Sequence, residues 1–250
     1  AQNGDTANTY NIAIGTDAGL AITTGNRNVF LGALAGDATT TADGNTAIGH
    51  NALSANTTAE INTAVGFQAM LSNTTGTSNV AIGMRALDVN TTGSSNTAVG
   101  GDAMGANTTA SNNTAVGSSA LLANTTGGSS VAVGFKALEV QTTGYSNTAL
   151  GEFAGGSMTT GSSNLFVGIQ SGYWNGNATT TGQANTIIGA YSYTTSTGTN
   201  DAVGLGYNVA AEGGYTTLGV ANNDIRAAHG NITWATVSDE RVKKDIEDAT

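Results

Sequence analysis

The sequence predicts an all-β protein, a parallel β-solenoid or β-roll built from 17-residue coils. Two observations lead to this fold class. A short block of the form Asn-Thr-Ala-Val-Gly recurs every 17 residues, first at Asn11 and Asn28 and last in strict register at Asn164. The composition is also unlike that of a globular domain. The 250 residues include 36 Gly, no Pro and no Cys, and only 10% are charged, against about 25% in ordinary soluble domains.

The repeat unit reads N-T-A-[VI]-G-x-x-A-L-x-x-N-T-T-G-x-S, and positions are counted from its first Asn. Its opening block alternates and closes on Gly, which is typical of a short strand with a tight corner. The second half has the spacing of one short helical turn or bend, and Asn-Thr-Thr-Gly is expected to form the return turn. The glycines assigned this structural role in the repeat are Gly49, Gly66, Gly83, Gly100, Gly117, Gly134 and Gly151.

The two faces of the predicted strand carry different residues. The fourth position is Ile, Leu or Val in the first ten copies and shares a face with the second position, so we expect this face to point into the coil. The third position is Ala in the first ten copies except at Phe30 and Phe166, which predicts that the opposite face is closely covered by another sheet or another chain. Burying about three apolar side chains per coil gains too little free energy to offset the entropy cost of ordering 17 residues. This deficit favours the assembly of several chains.

The repeat becomes irregular toward the C-terminus. Looser copies start at Asn185, Asn200 and Tyr215, at spacings of 21, 15 and 15 residues. We therefore divide the chain into a regular shaft at 1–168, an irregular continuation richer in aromatic residues at 169–237, and the start of a further domain at 238–250. In that last segment 8 of 13 residues are charged, which is typical of a helix start or a charged linker.

Composition and motifs exclude several function classes. The net charge of −10 argues against a nucleic-acid partner and against anionic membranes, and no apolar run is long enough for membrane insertion. Because no glycine-rich phosphate loop or complete Ca²⁺ loop is present, we expect no cofactor and no metal. The incomplete Ca²⁺-like segments are 43–45 and 222–224, and His50 and His229 have no partner at metal-ligand spacing.

Two sets of residues have both a structural and a functional interpretation. Five Asn-Thr-Thr triplets match glycosylation sequons, but they fill the same turn of every repeat, so turn chemistry is expected. These triplets start at Asn56, Asn73, Asn90, Asn107 and Asn124. The aromatic residues Tyr173, Trp174, Tyr191 and Tyr193 either stack on host sugars as a receptor-binding cluster or pack an irregular coil.

The A-[VI]-G-x-x-A-L units resemble repeats of bacteriophage tail fibres and of the heads of YadA-like trimeric autotransporter adhesins. The resemblance covers about residues 11–219 and implies a homotrimer of parallel β-rolls. The segment from Ser238 to Ile246, with the spacing S-D-x-R-x-K-x-x-I, looks like the opening of the endosialidase-type intramolecular chaperone of phage fibres. That resemblance implies a single self-cleavage at Val237–Ser238, with Ser238 as nucleophile and Lys243 as base.

These resemblances lead to a structural, non-enzymatic function. The first hypothesis is a tail-fibre segment in the virion, outside the cell, that takes part in host attachment and contacts other tail proteins and a host surface glycan or protein. The second is the head of a trimeric adhesin on a bacterial surface. A third hypothesis, a depolymerising tailspike, needs carboxylates gathered in a groove, whereas Glu152, Asp201 and Glu212 are widely scattered in the sequence.

Overall fold

The computed structural model describes residues 10–173, 179–221 and 223–230, together with the backbone of residues 235 and 236. Throughout these ranges the chain is all-β and contains no helix, and so it has no helix that could cross a membrane. The strands are β1 Ile12–Ile14, β2 Val29–Leu31, β3 Thr46–Ile48, β4 Thr63–Val65, β5 Val80–Ile82, β6 Thr97–Val99, β7 Thr114–Val116, β8 Val131–Val133, β9 Thr148–Leu150, β10 Leu165–Val167, β11 Thr186–Ile188, β12 Tyr193–Thr194, β13 Val203–Tyr207, β14 Ala210–Ala211, β15 Tyr215–Val220, β16 Asn223–Ala228 and β17 Ala235–Thr236.

The strands confirm the predicted solenoid. β1 to β11, followed by β13 and β15, pair in parallel as consecutive neighbours of one sheet. In the regular part each residue pairs with the residue 17 positions later, as Thr46 does with Thr63. The backbone hydrogen bonds between coils continue outside the strands, for example from the N–H of Met70 to the carbonyl of Ala86. Each coil therefore lies directly on the next one along its whole path.

The repeat copy predicted to start at Asn200 is aligned differently in the structure. β11 pairs with β13 so that Thr186 lies beside Val203 and Ile187 beside Gly204. The corner glycine of this coil is therefore Gly206, with φ 138°, and the observed spacings are 21, 17 and 13 residues instead of 21, 15 and 15. Gly204 occupies the third position, where a Cβ would come within 2.9 Å of Ala211.

The orientation predicted for the strand faces is wrong. The alanines of the third position point into the coil and are completely buried, apart from the partly buried Ala13 of the first coil, whereas the second and fourth positions face outward. The coil is narrow, and Ala47 lies in one core with Ala52 and Leu53 from the opposite wall of the same coil. Space inside the coil is therefore the reason for Ala at the third position, and a covering chain is not needed to explain it.

Of the helical turn or bend predicted for the second half of the unit, the structure shows the bend. Its path is a series of hydrogen-bonded turns, with bonds from Ala69 to Gly66 and from Leu71 to Gln68. Gln68 and Met70 have φ values of 56° and 50°. A right-handed helix cannot form where every second residue has a left-handed conformation.

The repeat glycines form corners that no other residue could form. Gly49 through Gly151 in the seven assigned positions have φ between 134° and 138°. A Cβ at any of them would lie 2.4–2.7 Å from a carbonyl atom of the corresponding glycine in the next coil. Both the backbone conformation and the close approach of consecutive coils therefore require Gly here.

The polar half of the coil interior consists of two asparagine ladders. At the first position, the backbone N–H of Asn62 donates to Oδ1 of Asn45, at 2.9 Å, one coil earlier. At the twelfth position, Nδ2 of Asn56 donates to the carbonyl of Ala59, at 3.1 Å, and Nδ2 of Asn45 reaches the same carbonyl at 2.9 Å. The sequon asparagines are fully buried, so turn chemistry occupies the nitrogens that a glycan would need.

The parallel stacking ends at β15. β16 pairs antiparallel with β15, and β17 pairs antiparallel with β16. A second, two-stranded sheet of β12 and β14 lies beside the last coils. The region after residue 168 thus continues the sheet of the regular coils and adds structure to it.

Candidate functional site

The outward side of the sheet carries two uncharged columns, which together we call the sheet face. The fourth position is aliphatic in all thirteen parallel strands, and the second position is aliphatic or Thr. The fourth-position column is Ile14, Leu31, Ile48, Val65, Ile82, Val99, Val116, Val133, Leu150, Val167, Ile188, Leu205 and Leu218. The second-position column is Ile12, Val29, Thr46, Thr63, Val80, Thr97, Thr114, Val131, Thr148, Leu165, Thr186, Val203 and Thr216.

The sheet face is accessible along its length. Ile14, Leu150 and Leu31 are 60%, 49% and 43% exposed. Twelve intervals of about 4.8 Å give this face a length of roughly 58 Å. Continuous apolar surface on that scale is typical of an interaction site, because monomeric proteins seldom leave such a surface in contact with water.

A second surface, which we call the aromatic strip, consists of Phe135, Phe153 and Tyr173. The Phe135 and Phe153 rings lie edge to face with centroids 5.4 Å apart, and Phe153 stacks on Tyr173 at 5.7 Å. Nζ of Lys136 lies 5.5 Å from the centroid of Phe135 and 5.6 Å from that of Phe153. The strip presents ring surface beside a cation, a combination suited to stacking on a polar ligand.

The structure shows where three of the four predicted receptor-binding residues lie and which rings they contact. Tyr173 belongs to the aromatic strip, and Tyr191 packs edge to face with Tyr207, which is 54% exposed, at 5.8 Å. Tyr193 is half-buried in β12, and Trp174 lies outside the described residues. The repeat alignment could have indicated Phe135 and Phe153, because they occupy the sixth and seventh positions of consecutive coils.

Charged groups are few and mostly paired on the surface. Arg85 binds Asp102 at 2.7 Å. Burial raises the pKa of nearby Asp88, and repulsion from Asp102 adds to this, although Arg85 opposes the shift. Burial also raises the pKa of Asp224, whose Oδ1 is buried without a hydrogen-bond partner.

The remaining candidate residues form no catalytic arrangement in the described ranges. Ser238 and Lys243 lie outside them. Glu212 pairs with Arg226. His50 stacks on Phe67, while His229 lies near Thr216 at 3.3 Å. Among the residues that the structure describes, no three His, Cys, Asp or Glu side chains are grouped closely enough to hold a metal ion.

The fold and its surfaces define a β-solenoid repeat protein. Comparison with known protein families, with curated proteins and with solved structures finds no match to this chain.

Proposed function

We propose that this chain is a shaft segment of a homotrimeric extracellular fibre, in which three copies bury their sheet faces against one another. The observation that carries the proposal is the uninterrupted aliphatic column at the fourth position, exposed on a protein that already has a complete interior. Burying the exposed half of an aliphatic side chain gains about 1 kcal/mol. Six of the thirteen positions are exposed, from Val116 at 37% to Ile14 at 60%, and together they supply on the order of 5 kcal/mol per chain. The seven less exposed positions add to this gain, which is then comparable with the cost of association.

Within this proposal the fibre is a bacteriophage tail fibre in the virion. The tail-fibre and chaperone resemblances of the sequence support this assignment. The head of a trimeric adhesin on a bacterial surface is the alternative, and it would use the same sheet face. In either case the protein acts as a scaffold, and the only chemistry proposed is one self-cleavage at Val237–Ser238 in a full-length parent, by Ser238 and Lys243.

The aromatic strip and the Tyr191–Tyr207 pair are the proposed contacts with a host surface glycan or protein. Phe135 is 45% exposed and Tyr207 is 54% exposed. Stacking of aromatic rings on sugar rings or on protein side chains requires such accessible ring faces. Other tail proteins would bind at the ends of the shaft, beyond the repeats.

The test of assembly is the solution mass of the folded chain by light scattering. We expect about three times the chain mass of 24.7 kDa for the wild type. Val116→Asp, in the middle of the sheet face, should weaken association by on the order of 100-fold, because an unpaired carboxylate would be desolvated at the interface. Thr109→Asp adds the same charge on an exposed turn away from the face and should leave the mass unchanged.

A wild-type protein that stays monomeric at high concentration would remove the proposal. A trimer that Val116→Asp leaves intact would show that the chains associate through another surface.

A further inference from the structure

The antiparallel end of the sheet contains a buried carboxylate without a partner among the described residues. Asp224, in β16, is 7% exposed, and its Oδ1 has no hydrogen-bond donor. Burial alone raises its pKa, and no charged side chain contributes to the shift. Arg226, two residues later, is occupied by its ion pair with Glu212. A carboxylate kept from water in this way is costly unless something compensates for its charge.

Strand pairing brings a second oxygen to the same place. β16 folds back on β15 so that Asp224 pairs with Gly219. A Cβ added to Gly219 would collide with Oδ1 of Asp224 and would lie 2.6 Å from the carbonyl oxygen of Asn223. The two oxygens therefore converge on one point beside Gly219, and the absence of a side chain on this glycine leaves that point open.

This end of the solenoid differs from the regular coils in how well its buried oxygens are satisfied. Among the described residues, buried side-chain oxygens without partners occur at four positions. Three of these positions lie between β13 and the first residues of β16, namely Asn208, Thr217 and Asp224, whereas the regular coils contain only Thr39. Unpaired oxygens thus accumulate where the parallel stacking ends, which indicates that a positively charged partner belongs there.

Oxygen atoms without donors are the ligands that a hard cation requires. Ca²⁺ binds carboxylates, backbone carbonyls, amide oxygens and water in a flexible geometry, whereas Mg²⁺ demands a near-ideal octahedron and gives up its water reluctantly. A backbone carbonyl has two lone pairs, so a ladder hydrogen bond leaves one free for a cation. With a single carboxylate we expect weak binding, with a dissociation constant on the order of 1 mM, as in extracellular modules.

We propose that Oδ1 of Asp224 and the carbonyl oxygen of Asn223 bind one Ca²⁺ ion beside Gly219. The ion fastens the antiparallel strand β16 to β15 and so closes the end of the solenoid. The sequence contains only an incomplete Ca²⁺ loop at 222–224, and the fold adds what this short segment lacks, because β16 turns back onto Gly219. The site lies within one chain and does not depend on association between chains.

Hydrogen exchange measured by mass spectrometry tests the site, with the metal alone as the probe. Chelator-treated protein is compared in about 10 mM CaCl₂, roughly ten times the expected dissociation constant, and in NaCl of equal ionic strength. We expect CaCl₂ to slow exchange of the β15 and β16 amides by roughly 10-fold, because a ligand at ten times its dissociation constant protects by about that factor. The amides of β3 to β9 should not respond.

Two isosteric variants identify the ligand. Asp224→Asn removes the carboxylate charge and keeps the size of the side chain, so it should fold in chelator and lose the calcium effect. Asp201→Asn removes the charge of an exposed residue before β13 and should keep the full effect. Circular dichroism of both variants in chelator verifies that they are folded.

The outcomes that overturn the site are distinct. One is a folded wild-type protein that calcium does not protect, and another is equal protection of the wild type and Asp224→Asn. Equal protection by MgCl₂ or by NaCl shows general charge screening and overturns the site as well. Light scattering in the same solutions separates this proposal from the proposed assembly, since calcium protection of a monomeric chain supports the site and removes only the trimer.

Discussion

Regular coils and coils that depart from the repeat use the same interior space in different ways. In the coil that starts at Asn45, Ala47 and Leu53 occupy the third and ninth positions. In the coil that starts at Asn28, Phe30 takes the third position and Gly36 the ninth, where a Cβ would come within 2.5 Å of the phenyl ring. A larger residue on one wall is matched by the loss of a side chain on the other.

The second phenylalanine follows the same rule. Phe166 is paired with Gly172 in its own coil and Gly155 in the coil before it, where added Cβ atoms would lie 2.4 Å and 2.8 Å from its ring. The polar ladder shows a similar exchange, because Ser130 replaces Asn and the longer Gln141 of the same coil reaches its Oγ at 3.3 Å. Departures inside the coil are thus compensated nearby, which keeps the interior close-packed.

The strongest way to break this compensation is to remove the larger partner. Phe30→Ala should destabilise the protein by about 3–5 kcal/mol, because Gly36 leaves the cavity unfilled. F30A/G36L should recover a large part of the loss, since Leu53 already occupies the ninth position of the next coil with φ 54°. Urea denaturation followed by circular dichroism measures both, with Thr58→Ala as an exposed control. A double variant as unstable as the single one would contradict the volume argument.

A smaller effect is expected in the polar ladder. Gln141→Asn shortens the side chain that bridges Ser130 and Asn147, whose Nδ2 donates to Oε1 of Gln141 at 2.8 Å. The loss should be about 1 kcal/mol, the value of one intramolecular hydrogen bond. S130N/Q141N restores the regular pattern and should recover it, as measured by thermal denaturation. If the two substitutions were simply additive, the exchange between these positions would have no energetic basis.

Oδ1 of Asp224 is buried and no neighbouring residue supplies a hydrogen bond to it. Replacing this residue should give the smallest effect. Its pKa is raised by burial, so the protonated form is favoured in the folded state, and stability is lost as pH rises through the folded pKa. Asp224→Asn should therefore stabilise the protein at pH 7 by up to about 1 kcal/mol. The gain should shrink on acidification toward the unfolded pKa near 3.8, as seen in melting temperatures across pH. A gain that does not change with pH would exclude the carboxylate as its cause.

Much of the fold could be predicted from the sequence, because the 17-residue period, the corner glycines and the Asn turns follow from local chemistry. The direction of Ala47 and Ile48 could not. A bulky aliphatic residue is normally expected inside, whereas here the width of the coil admits only Ala. The left-handed turns at residues such as Gln68 and Arg85 carry no local signal, since these residue types do not favour positive φ.

The candidate surfaces were partly accessible to sequence reasoning. Tyr173 and Tyr191 were predicted as an aromatic group, but the ring partners Phe153 and Tyr207 depend on how consecutive coils align. The shift of the coil frame to Gly206 likewise depends on pairing with β11, because two glycines two residues apart both fit the local pattern. Both the ring partners and the alignment of this coil are set by contacts between coils, and the sequence of a single repeat unit does not specify those contacts.

The hydrogen bonds between coils all run along the rod, and this has a mechanical consequence. Tension applied along the rod loads each boundary between coils in series, so a single chain would be expected to peel open one turn at a time. Compression presses the same boundaries together. Copies packed side by side would share the tension at every height. A bundle of copies would therefore resist tension as well as compression.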